Sequence, residues 1–146
     1  MDESKLENFY KAYPDRVFPG FTALTAAECE RLRKKVATTL GLSEECGPLE
    51  LVQHLQAQTG SHLGEVPGKG QLDLRALLEG IAVGRPHRVF LNWYRFDDID
   101  SLDLDDLSRH FDDIWYPSVD DIEVFDESCR WFLVVSHDGR VGLIQR

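Results

Sequence analysis

Hydrophobic positions follow a helical period in the first half of the chain and a strand-like alternation in the second. Cys29, Leu32, Val36 and Leu40 form one stripe at spacings of three and four, the signature of a helix with one buried face. Thr25 and Glu28 have capping-box spacing, Leu24 can staple against Cys29, and Gly41 ends the run, so a helix is predicted over about 25–40. Before it, Lys5 to Ala12 reads as a short helix with Leu6, Phe9 and Tyr10 on one face, stopped by Pro14 and Pro19. After it, Pro48 is suited to a first helical turn, Leu49, Val52 and Leu55 point inward, and Gly60 terminates. Ser61 to Gly70 has three glycines, a proline and little periodicity, and reads as a surface loop. A third long helix is predicted from about Asp73 to Ala82 through Leu74, Leu77, Leu78 and Ile81, closed by Gly84-Arg85-Pro86.

From His87 the pattern becomes RVFLNWYRF, in which apolar residues occupy both alternating sets, as in a strand covered on both faces. Ser101 or Asp103 is placed to cap a short helix running through Phe111, with Leu104, Leu107 and Phe111 facing the core. Ile122, Val124 and Phe125 suggest a second strand. The clearest element is Arg130–Ile144, two β-branched and aromatic runs around Asp138-Gly139, which predicts a hairpin with a two-residue turn. The expected architecture is α+β: one domain over 1–146, with a helical N-terminal half packed on a C-terminal, mainly antiparallel sheet of about four strands.

Composition agrees with a single folded core, since 146 residues at 42% hydrophobic content can bury enough surface to offset ordering entropy. The first residues, MDESKLENFY, lack the basic and apolar segments of a signal peptide, and no apolar run approaches a membrane span, so a cytoplasmic location is the expectation. Cys29, Cys46 and Cys129 are odd in number and widely spaced; they read as reduced, buried thiols. On the 25–40 helix, Arg31, Arg33, Lys34 and Lys35 lie near Glu28 and Glu30, the composition of a solvated helix face.

Charge changes the picture most. Asp97–Glu127 holds 13 acidic residues and one basic residue, Arg109, so the net charge of −10 belongs to one region. Asp97, Asp98, Asp112, Asp113, Asp120 and Asp121 interleave there with the aromatics Trp115 and Tyr116. Such a surface repels nucleic acid and suits a basic protein partner, with charge steering the encounter and aromatics anchoring it. The plainer alternative is that the carboxylates cap helices and keep the domain soluble.

No catalytic or cofactor motif stands out. An EF-hand loop starting at Asp98 would place Asp103 at its sixth position and Arg109 at its twelfth, against the required Gly and acid. GxSxG, HExxH and Walker-type patterns do not occur. No cofactor or metal is therefore expected. The competing function is a small metal-dependent or Cys/His hydrolase drawing on Cys129, His110 or His137 with one of the acids.

The segment FDDIWYPSVDDIEVFDESCRWFLVVSHDG, residues 111–139, resembles the C-terminal part of small bacterial proteins of uncharacterised function. In general character it is also similar to the acidic immunity proteins that neutralise bacterial toxins. The resemblance covers roughly the last third of the chain and carries no residue roles. It implies a bacterial, cytosolic, non-enzymatic protein and leaves the partner open; the acidic surface adds the expectation of a basic partner such as a toxin or nuclease, in an immunity-like role.

Overall fold

Every strand pairing in the computed structural model is antiparallel, and the strands join in one sheet of order β1-β4-β3-β5-β6-β7-β2. The structure describes residues 1–59, 61–66, 72–80 and 86–146. In chain order the elements are α1 (Glu3–Ala12), β1 (Phe21–Ala23), α2 (Ala26–Thr39), α3 (Pro48–Gln58), β2 (Ser61–Glu65), α4 (Leu74–Gly80), β3 (Arg88–Asn92), β4 (Ile99–Asp103), α5 (Leu104–Arg109), α6 (Phe111–Ile114), β5 (Ile122–Phe125), β6 (Trp131–Val135) and β7 (Arg140–Gln145). The class is α+β.

The capping box forms as its spacing requires: Thr25 Oγ1 accepts from Glu28 N, and a Glu28 carboxylate oxygen accepts from Thr25 N at 2.8 Å. Cys29, Leu32, Val36 and Leu40 are all buried. Three of the four basic residues of α2 have partners within the molecule, Lys34 on Glu30 and Lys35 on Glu127, while Arg33 donates to the Cys46 carbonyl. Of the expected face Leu6, Phe9 and Tyr10 in α1, Phe9 is buried, Leu6 is partly buried against the core and Tyr10 is exposed, while Lys5 is buried in its place. The expected end of the 73–82 helix at Ala82 and its closure at Gly84-Arg85 lie outside the described residues, as do Gly60 and residues 67–71.

Both faces of the sheet are covered, which explains why β5 and β6 are buried at every position. On one face, α2 and α3 bring Leu32, Val36, Leu51 and Leu55 against Phe125, Phe132, Val134 and Ile144. On the other, α1, α4, α5 and α6 cover Val89, Leu91, Val124, Leu133 and Val135. The helices thus come from both halves of the chain. The sheet likewise has three strands more than the sequence pattern predicted: β1, β2 and β4. β1 and β2 are edge strands fixed by their neighbours' hydrogen bonds, and β4 contains Asp100 and Ser101, polar residues that obscure its alternation. Ser101 is therefore a strand residue, and Asp103 is the cap, accepting from Asp105 N and Asp106 N.

β3 ends at Asn92, short of the predicted Phe96, because Tyr94 and Phe96 adopt φ of 66° and 54°, which no extended strand accommodates. Asn92 holds the reversal: its side-chain oxygen accepts from Phe96 N at 2.7 Å. The β6–β7 hairpin is present, but its loop is His137-Asp138-Gly139 rather than a two-residue turn. Ser136 N donates to Arg140 O, Gly139 N donates to Ser136 O, and Gly139 is the loop residue at positive φ (87°). This is the three-residue hairpin in which a glycine follows a tight turn. Replacing Gly139 with Val is expected to destabilise the domain by about 1–3 kcal/mol, since a β-branched residue is strained at that φ. Urea denaturation of the variant measures it, and an unchanged midpoint contradicts the turn assignment.

Candidate functional site

Register places three connections at the same end of the sheet. Asn92 lies opposite Ile99 and Glu123, and Ile122 lies opposite Val135, so residues 93–98, 115–121 and 136–139 converge beyond those pairs. This brings together Asp97, Asp98, Tyr116, Asp120 and Asp121 from the acidic region. Asp97 and Asp98 are exposed, with Asp97 paired to Arg95 at 3.0 Å. Asp121 accepts from His137 N at 2.8 Å, and the His137 ring Nδ1 lies 3.1 Å from both its carboxylate oxygens.

Of the other three predicted residues, Asp112 and Asp113 are placed elsewhere, and Trp115 turns from this end into the core. Asp112 and Asp113 stand on α6, over the face of the sheet, where Asp113 meets His110 at 3.3 Å. Partial burial, and then the charge of Asp113, raises the Asp112 carboxyl above its usual range. Trp115 is only 4% exposed, stacks on Phe111, and donates from Nε1 to the Asp120 carbonyl at 2.9 Å. It is a core residue, and its ring is not displayed for a partner.

On the α3 side of this end lies a groove of about 620 Å³ lined by Gln56, Thr59, Tyr94, Asp121, Val134 and Arg140 among others. Next to its floor, one strand over from Val134, is the wholly buried Glu123. Asn92 Nδ2 donates to Glu123 Oε2 at 2.6 Å, while Oε1 has no hydrogen-bond partner. Burial, reinforced by the charge of Asp121 and opposed by the Asn92 hydrogen bond, pushes this carboxyl up to about 8. Glu123 is therefore mostly protonated at neutral pH.

On the opposite face the same end is closed by a lysine. Lys5 of α1 is buried, with Nζ 2.5 Å from Asp120 Oδ2, 4.1 Å from the centre of the Tyr116 ring and 5.0 Å from that of Trp93. Trp93 Nε1 donates to the buried Asp100 at 2.8 Å, and the Met1 amino group pairs with the same carboxylate.

Cys129 and His137 lie at opposite ends of β6 and do not form a nucleophile–base pair. Desolvation raises the Cys129 thiol to about 11, and all three cysteines are buried and free. Among the described residues, no group of three or more His, Cys, Asp or Glu side chains is arranged to hold a metal ion, and no helix is long and apolar enough to cross a membrane.

Lys5, Trp93, Asn92 and Glu123 escaped the sequence reading. Glu123 had a readable signal, since a strand covered on both faces leaves no outward position for the polar residue in IEVF. Lys5 had a weaker one in its i,i+4 spacing to Phe9 on the inward face of α1. Together the fold and site define an α+β domain with an acidic, loop-built end. Compared with protein-family models, curated proteins and solved structures, the chain finds no match.

Proposed function

We propose that this protein is a binding module, immunity-like in character, that docks a basic protein partner through its acidic surface. The observation that carries this reading is the disposition of the acids: between Asp97 and Glu127, only Asp100 and Glu123 are buried, and every other carboxylate reaches solvent. Glu123 holds its proton, Asp100 is paired with the Met1 amino group, and Asp120 is the one other acid of the region whose counter-charge, Lys5, is itself buried. The rest sum to a negative field over the loop-built end and over α5 and α6. Such a field raises the association rate of a cationic partner by roughly tenfold or more at low salt.

Replacing Asp97, Asp98, Asp112 and Asp113 with Asn tests this, with a decalysine peptide as the probe. Association is expected to slow by about tenfold and its salt dependence to flatten. The fold should tolerate the changes, because exposed carboxylates contribute little to stability individually. Wild-type association kinetics at low salt in the quadruple variant would remove the basis of the proposal.

A further inference from the structure

We infer that Trp93, Tyr116 and Asp120 form an alkylammonium-binding site which Lys5 of α1 occupies in the resting protein, and for which a lysine of the basic partner exchanges. The identity of the competitor rests on the docking function proposed above; the site itself does not.

The walls of the site are held by contacts that do not involve Lys5. Tyr116 N donates to Asp120 Oδ2 at 2.8 Å, and Trp115 Nε1 fixes the Asp120 carbonyl, so the carboxylate is oriented by its own loop. Trp93 is fixed at its backbone N, which donates to Asp98 O, and at Nε1, which donates to Asp100. A carboxylate and two aromatic faces set in this way complement a primary ammonium ion on an alkyl stem, and the seated Lys5 shows that the fit is met. The occupant is carried by a short helix, held besides Lys5 by Phe9, by the partly buried Leu6 and, just before it, by the Met1–Asp100 pair. α1 has ten residues, and besides Lys5 its one buried side chain is Phe9. A released helix of this length is marginal in water, so α1 unfolds where it leaves the surface together with Lys5. A lysine-rich segment is drawn by the summed field to the end of the sheet that carries the site.

Two measurements on the full chain decide the matter. The first uses Lys5→Ala and n-butylammonium chloride, with sodium chloride at equal ionic strength and n-butanol as controls. Saturable thermal stabilisation by the amine alone, absent in wild type and lost in Lys5→Ala/Tyr116→Ala, is the expected result. A folded Lys5→Ala protein indifferent to the amine overturns the site. The second uses the wild type, and so holds even if Lys5→Ala does not fold. Hydrogen exchange of the α1 amides is expected to accelerate at least tenfold when decalysine saturates the protein. If decalysine binds and α1 exchange is unchanged, the docking reading stands and the exchange mechanism is wrong. If butylammonium fills Lys5→Ala while decalysine does not bind wild type, the site stands and the docking reading falls.

Discussion

Glu123→Gln is expected to abolish a loss of stability that the wild type suffers between about pH 4.5 and 8. The folded protein holds the Glu123 proton up to about 8, whereas the unfolded chain releases it near the ordinary value of 4.5. Within that window the unfolded state binds fewer protons, so raising the pH favours unfolding, by about 1.4 kcal/mol per pH unit at most. The accumulated penalty at pH 8 is of the order of 4 kcal/mol, a large part of the 5–15 kcal/mol that ordinarily stabilises a domain. Below pH 4.5 the group is neutral in both states and contributes no slope. Glutamine keeps the shape and still accepts from Asn92, but its new amide donors inherit the place of the unpartnered Oε1. That cost is the same at every pH, so the slope rather than the absolute stability is diagnostic. Asp2, Glu28 and Asp138, held below their usual range chiefly by hydrogen bonds, act in the opposite sense. Their stabilisation is lost on acidification, and it cancels in the difference between the two proteins. Urea titrations at pH 5, 6, 7 and 8 give that difference directly, and parallel curves would show that Glu123 is ionised in the folded state.

Asp120→Ala is expected to destabilise the domain by about 3–5 kcal/mol, the range for removing one member of a buried ion pair. Its carboxylate is the anion for Lys5, whose side chain is 5% exposed, and it also accepts from Tyr116 N. Without it the ammonium keeps the two ring faces but loses its counter-charge in a place water barely reaches. The cost therefore reflects the stranded cation more than the strength of the pair. Removing the cation as well separates the two: Asp120→Ala/Lys5→Met should recover much of the loss, since methionine fills the channel of the lysine stem without a charge. A double variant as unstable as Asp120→Ala alone would locate the damage in the 115–121 loop instead.

The elements that could be read from sequence were those whose signal is local. The Thr25–Glu28 box and the Cys29-to-Leu40 stripe predict α2 because capping and one-sided burial are decided within the helix. The β6–β7 hairpin is equally evident, and only its loop length differs, since Asp138-Gly139 fits both the two-residue turn and the observed glycine-terminated loop. β1 and β2 could not be read in the same way, because edge strands of three and five residues take their conformation from β4 and β7. The candidate site divides along the same line. Loop acids such as Asp97 and Asp98 are recognisable from charge alone. The inward position of Trp115 and the neutral state of Glu123 depend on packing from α6 and from the two-sided cover of the sheet. The Lys5–Asp120 contact joins residues 115 positions apart, a separation at which no spacing rule operates.

The strand order also governs when the molecule can acquire its structure. β4, β3, β5, β6 and β7 stand side by side and come from the sequence from Arg88 onward, while β1 and β2 reach the two outer edges from earlier sequence. The two tight hairpins of the centre, β5–β6 and β6–β7, close over short loops and carry little closure entropy, which favours their assembly ahead of the distant edge pairings. On the ribosome the sequence of events is reversed. α2 and α3 emerge well before the surface they cover, which is formed by Phe125, Phe132, Val134 and Ile144. Until β7 is released, Leu32, Val36, Leu51 and Leu55 have no sheet to cover. The N-terminal half therefore keeps its apolar stripes in water until that part of the sheet has emerged.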